Sequence, residues 1–254
     1  MTQRTLPHFI IGGAPRSGTT WLYAALARHP NIFMAAPPTP EPKFFLVDEL
    51  YAKGLAYYRD TWFPGVPENA VAGEKSTNYL ESPVAARRIR ECLPEVRLVF
   101  ILREPVDRAF NNWLWSRTNQ VETEDFATAM ALETQREAQV PKRFLYARPH
   151  ALFSRGLYAD LLAPWFQLFR PEQILCLKYE TLGEDPQGLL AKLHQFLGVE
   201  QRRYDASGLG VINKANGEDS LTIPEALRRK LEADYAEPNR RLTELLPDFP
   251  VWGN

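Results

Sequence analysis

The 254-residue sequence predicts one α/β domain, residues 1–254, with a central parallel sheet covered by helices on both faces. Three observations predict it. The strongest apolar runs are Phe9-Ile10-Ile11-Gly12, Arg97 to Leu102 (RLVFIL) and Gln173 to Tyr179 (QILCLKY), and they are apolar throughout rather than alternating. Such runs mark strands buried on both faces. Helical patterns separate them, as in α/β folds. The first run also opens into a glycine-bounded loop, Gly13 to Thr20, which leads into a helical pattern.

The elements follow in chain order. Phe9 to Gly12 is a strand that ends where glycines begin. Trp21 to Arg28 is a helix with Trp21, Leu22, Ala25 and Leu26 on one face, stopped by His29-Pro30. Ile32 to Met34 is a short strand, followed by the proline-rich loop Pro37 to Pro42. Tyr51 to Phe63 reads as a helix and Ala70 to Glu74 as a third strand. A helix at Pro83 to Cys92 precedes the RLVFIL strand, and another, Asp107 to Arg117, follows it. Trp113 and Trp115 lie two apart on that helix, so only one of them can face the core. After the QILCLKY strand come helices at Gln187 to Leu197 and Ile223 to Leu246.

Composition excludes several classes. Lys and Arg number 30 against 31 Asp and Glu, a net charge of -1. A duplex-DNA binder would carry a basic excess, because phosphate neutralisation supplies most of its affinity, so no nucleic-acid partner is expected. With 45% hydrophobic and 12% aromatic residues the chain is no disordered tail. Its 21 prolines predict stiffened loops. Cys92 and Cys176 read as separate buried thiols, and the four His form no metal-ligand pattern, so no metal is expected. The first apolar run is too short for a signal peptide. No stretch reaches the roughly 18–20 apolar residues of a membrane span. The expectation is a cytoplasmic protein.

Gly13-Ala14-Pro15-Arg16-Ser17-Gly18-Thr19-Thr20 has the G-x-x-x-x-G skeleton of a P-loop, between a strand and a helix. Backbone N–H groups and the helix N-terminus there suit a phosphate. A nucleoside-triphosphatase would need Lys where Thr19 stands, and an acidic end to the RLVFIL strand where Arg103 stands. The cation is instead Arg16, inside the loop. The site therefore suits a phosphate ligand held without Mg²⁺.

At these residues the sequence resembles the sulfotransferases that use 3′-phosphoadenylyl sulfate (PAPS). Pro15 to Thr20 looks like their 5′-phosphosulfate loop, and Leu102 to Asn111 (LREPVDRAFN) like their 3′-phosphate motif. The likeness continues through Gly73 to Tyr79 (GEKSTNY), Arg155-Gly156-Leu157-Tyr158, Tyr235 to Asn239 and Trp252, covering nearly the whole chain in order. It is closest to the glycan branch, including the heparan sulfate enzymes, which carry a Glu before a paired Phe-Phe, as in Glu41-Pro42-Lys43-Phe44-Phe45. The small-phenol branch uses a His base, and no His lies between His29 and His150.

The resemblance implies sulfuryl transfer from PAPS to an acceptor hydroxyl, leaving 3′,5′-adenosine bisphosphate (PAP). It implies Glu41 as general base, with burial by Phe44 and Phe45 raising its proton affinity. Arg16 is the cation on the leaving 5′-phosphate and Lys75 a second cation near the acceptor or sulfate. Ser17, Gly18, Thr19 and Thr20 belong to the phosphosulfate loop, and Arg103 with Asn111 to the 3′-phosphate site. Lys214 and Gly217 fall in a basic loop that closes over the nucleotide. Lys43 stands where relatives can carry His. The acceptor is expected to be a glycan or small molecule. A peptide tyrosine is the alternative, and a P-loop kinase a more distant one.

Overall fold

The computed structural model describes residues 5–142, 146–203 and 221–253. The chain divides into two compact units, Met1–Leu102 with Pro164–Ile212, and Arg103–Ala163 with Asn213–Asn254.

The first unit holds the sheet. Its strands are β1 (Phe9–Gly13), β2 (Ile32–Met34), β3 (Val71–Lys75), β4 (Arg97–Leu102) and β5 (Ile174–Lys178). They are hydrogen-bonded in the order β2-β3-β1-β4-β5, and every pairing is parallel. The expected parallel sheet is therefore present, with strand bounds within a residue or so of those read from the apolar runs. All carboxyl ends lie on one edge, where α/β sheets hold their ligands. Phe9, Ile11, Val99, Ile101, Leu175 and Leu177 line one face and pack on Trp21, Leu22, Ala25 and Leu26 of α1 (Thr19–Leu26). Leu189, Leu190, Leu193 and Leu197 of α9 (Pro186–Leu197) complete that layer. On the other face Ile10, Leu98 and Phe100 are fully buried, with Phe100 edge-on to the Trp165 ring at 5.2 Å. Burial on both faces explains the uninterrupted apolar runs.

The helix expected over Tyr51 to Phe63 is two helices, α2 (Asp48–Tyr51) and α3 (Gly54–Trp62). Gly54 has φ 80, which no helix continues through. After β3, α4 (Pro83–Cys92) starts at Ser82, whose hydroxyl accepts from the Ala85 N–H at 3.1 Å. The short α8 (Thr181–Glu184) links β5 to α9. Cys92 and Cys176 are free and half-buried rather than fully buried.

The second unit is helical: α5 (Pro105–Thr118), α6 (Phe126–Gln139), α10 (Glu225–Leu245) and the first turns of α7 (Tyr158–Leu168). Val106, Ala109, Trp113, Phe126, Leu152 and Tyr235 form its core. Trp113 is 5% exposed and Trp115 is 41% exposed, as their spacing requires. Helices α6 and α7 give weak sequence signals. Glu133 sits on the buried face of α6, and Pro164 lies inside α7. Among the described residues no helix is long and apolar enough to cross a membrane.

Candidate active site

The phosphate loop follows β1 as the spacing predicts. Gly18 has φ 88 and precedes α1, which no side chain caps. A side chain at Gly18 would meet Leu182 Cδ1 at 2.9 Å and Tyr179 Cδ2 at 3.0 Å, so both the turn and the packing demand glycine. Helices α4, α5, α6 and α9 are each capped by a side-chain oxygen. No side chain caps α1 in that way, and a helix N-terminus without a side-chain cap suits an anion. Arg16 has φ 66 and is half-buried; Thr19 is buried and Thr20 half-buried. Ser17 is fully buried, and its Oγ has no hydrogen-bond partner among the described residues. A buried hydroxyl without a partner costs about 1–3 kcal/mol, so Ser17 fits a ligand oxygen better than a purely structural role.

β3 lies beside β1, and its end builds the second part of the site. Lys75 Nζ donates to Glu41 Oε1 at 2.5 Å, with side chains 5% and 12% exposed. Lys75 is thus a buried, paired cation, not a surface lysine. The Thr77 N–H donates to Glu41 Oε2 at 3.2 Å, and the Thr77 hydroxyl lies 3.2 Å from both carboxylate oxygens. The Glu41 carboxylate is thereby fixed to the segment that follows β3, and that segment abuts the phosphate loop. The Ser76 N–H donates to Ile11 O at 3.0 Å, and a Cβ built on Gly13 would lie 3.2 Å from Thr77 O. Glu41, Lys75 and the loop start therefore share one end of the sheet.

Phe44 and Phe45 pack around a second carboxyl, that of Glu74. Phe44 stacks on Tyr58 at 4.5 Å, and Phe45 packs against Tyr58 at 5.3 Å and Tyr79 at 6.0 Å. Those tyrosines surround Glu74, whose carboxyl is pushed up to about 7 by burial. Tyr58 is fully buried within this cluster. Thr77, Glu74, Tyr58 and Tyr79 are the site residues that sequence reasoning missed. The only hint was a run of hydroxyl residues after Glu74-Lys75.

In the second unit Arg103 directly follows β4. The Tyr158 hydroxyl donates to Arg103 O at 2.8 Å and faces the Arg103 N–H at 3.4 Å. The Arg155-Gly156-Leu157-Tyr158 segment thus fixes the Arg103 backbone. The Glu104 carboxylate caps α5, accepting from the Val106 and Asp107 N–H groups at 3.0 and 2.7 Å. The N-terminus of α5 is therefore occupied, and an anion near Arg103 must rely on side chains. Asn111 Nδ2 donates to Asp107 O at 3.0 Å, which uses one of its two amide protons. Lys214 and Gly217 lie outside the described residues.

A family model, the sulfotransferase domain, matches residues 6–207. The chain belongs to the sulfotransferase domain family. This sulfotransferase is 26% identical over 270 residues to heparan sulfate glucosamine 3-O-sulfotransferase 6 of Homo sapiens, covering 99% of this chain and 75% of that protein. It is 31% identical over 200 residues to the Homo sapiens bifunctional heparan sulfate N-deacetylase/N-sulfotransferase 3, covering 76% of this chain and 22% of that protein. Among solved structures, the sulfotransferase from Alicyclobacillus acidocaldarius superposes with a TM-score of 0.78 at 28% identity, over 95% of this chain and 96% of that one.

Proposed function

We propose that this sulfotransferase moves a sulfuryl group from PAPS to a hydroxyl of a glycan or other small-molecule acceptor, with Glu41 as general base. The observation that carries the reading is the Glu41–Lys75 ion pair at the carboxyl end of β3, beside the phosphate loop that ends β1. The donor supplies the sulfuryl group and a 5′-phosphate that leaves as part of PAP. A new acceptor O–S bond forms, the S–O bond to the 5′-phosphate breaks, and the acceptor proton passes to Glu41. Thr77 and Lys75 hold the Glu41 carboxylate for that transfer. Arg16, Ser17 and the first-turn N–H groups of α1 neutralise charge on the leaving phosphate. Arg103 and Asn111, with Lys214 and Gly217, take the 3′-phosphate end of the nucleotide. A guanidinium suits a phosphate because it presents paired donors.

The named relatives are heparan sulfate enzymes, which supports a saccharide acceptor over a peptide tyrosine. The net charge of -1 favours a compact or weakly charged saccharide over a long sulfated chain. The test is transfer of radiolabelled sulfate from PAPS onto a panel of saccharides, phenols and tyrosine peptides. Label on a saccharide supports the reading. Label confined to peptides overturns the acceptor class.

A further inference from the structure

Glu74 and Lys75 are neighbours on β3, so their side chains leave on opposite faces. Lys75 reaches Glu41. Glu74 is fully buried, and among the described residues its partners are three hydroxyls and no cation. Its Oε1 accepts from Tyr58 at 2.7 Å and Tyr79 at 3.2 Å, and its Oε2 accepts from Ser76 at 2.8 Å. A buried carboxylate held only by neutral hydroxyls is expensive, and an apolar or amide side chain would serve stability better.

Two of these hydroxyls have a second task. Ser76 Oγ accepts the Lys43 N–H at 2.9 Å, and the Tyr79 hydroxyl accepts the Phe45 N–H at 3.2 Å. Lys43 and Phe45 are the second and fourth residues after Glu41. Lys43 also has φ 48, a conformation that a non-glycine residue holds only when its surroundings impose it. An ionised carboxylate can only accept. Each hydroxyl must therefore spend its single proton on Glu74 and turn its lone pairs toward the loop.

We propose that Glu74 is a positioning residue for the transfer reaction: by taking the Ser76 and Tyr79 hydroxyl protons, it makes both oxygens hold the loop that carries Glu41. The inference rests on the reading of Glu41 as the base. Protonation of Glu74 reverses the arrangement. The hydroxyl that accepts the single carboxyl proton loses the acceptor for its own, and its tie to the loop, at Lys43 from Ser76 or at Phe45 from Tyr79, weakens. The groups facing Glu74 are Tyr58 from α3, Tyr79 and Ser76 from the segment after β3, and the charge of Glu41 from the loop. Burial raises Glu74 to about 7, the Glu41 charge adds to the rise and the three hydroxyl bonds oppose it. The loop tie therefore loosens as pH falls through neutrality.

The test measures kcat against pH, the acceptor KM, and bisphosphate affinity for wild type, Glu74→Gln, Tyr79→Phe and Glu41→Gln. Glu74→Gln is expected to lower kcat about tenfold or more, leave bisphosphate affinity within about twofold, and lose the acidic limb of kcat near neutrality. Tyr79→Phe removes one tie, so kcat falls less and the limb remains. A wild-type kcat and an intact limb in Glu74→Gln, with Glu41→Gln inactive, overturn the positioning role and leave the base standing. Full turnover by Glu41→Gln overturns the base and this inference together. Should Glu74→Gln not fold, an unchanged kcat in Tyr79→Phe overturns the proposal.

Discussion

Lys75 Nζ lies 2.5 Å from Glu41 Oε1, although 34 residues separate them in the chain. A buried ion pair of this kind costs desolvation on both sides, and losing one partner leaves the other stranded. Glu41→Gln should lower kcat/KM for transfer by about 10²–10⁴-fold, the range of general-base catalysis. Lys75→Met should fall in the same range. The double variant should lose little beyond the worse single one, because the two groups act as a unit. Steady-state kinetics of all three variants check this, and additive losses would separate the two roles.

Ser17 and Gly18 are expected to serve the phosphate of the donor through different physics. Ser17→Ala removes one donor from a buried site and should weaken PAP binding by about tenfold. Gly18→Ala strains a residue at φ 88 and drives a methyl against Leu182 and Tyr179, so PAP should give no thermal shift. Wild type should be stabilised by PAP without a divalent cation. Stabilisation by ATP with Mg²⁺ alone would point to kinase chemistry.

Arg103 should tell PAP from AMP. Arg103→Ala is expected to weaken PAP by about 10–100-fold while AMP changes little, because only PAP carries the 3′-phosphate. Tyr158→Phe loses the hydroxyl that clamps the Arg103 backbone and should give a smaller loss of the same kind. Calorimetric titration with both nucleotides measures each. Equal weakening of the two would move the 3′-phosphate site elsewhere.

Stability should depend on pH through two buried groups with opposite signs. Glu74 rises from 4.5 in the unfolded chain to about 7 in the fold, so the fold binds the extra proton between those values. Its contribution is fully present below 4.5 and is lost as pH climbs through about 7, a difference on the order of 3 kcal/mol. Glu74→Gln should therefore raise Tm at pH 8 and not at pH 4, even as it lowers activity. His194 is buried beside His29 and is lowered from 6.5 to about 4 by burial and by that neighbour. Its contribution is present above 6.5 and is lost as pH falls through about 4. His194→Gln should flatten the acid side of the Tm profile, which thermal unfolding from pH 4 to 8 records.

The sheet and the phosphate loop were legible because each is a local signal. Apolar strands run unbroken where both faces are covered, and Gly13 to Thr20 keeps its spacing whatever surrounds it. The position of Arg103 was legible for the same reason, as a charge directly after an apolar strand. Glu41 and Lys75 were each named from family likeness in separate roles, and their pairing could not be read from spacing. The buried cluster was illegible, since Tyr58, Glu74 and Tyr79 meet only through tertiary packing. A Glu beside a Lys in a strand looks like an ion pair, while the pleat sends the two to opposite faces. Helix α6 hid because Glu133 sits on its buried face, where it caps the Phe153 and Ser154 N–H groups.

The most direct measurement is the rate of labelled sulfate transfer from PAPS to the best saccharide acceptor by Glu41→Gln, with PAP affinity measured on the same sample. Transfer should fall by at least about 100-fold while PAP affinity stays unchanged. Wild-type transfer by Glu41→Gln would contradict it.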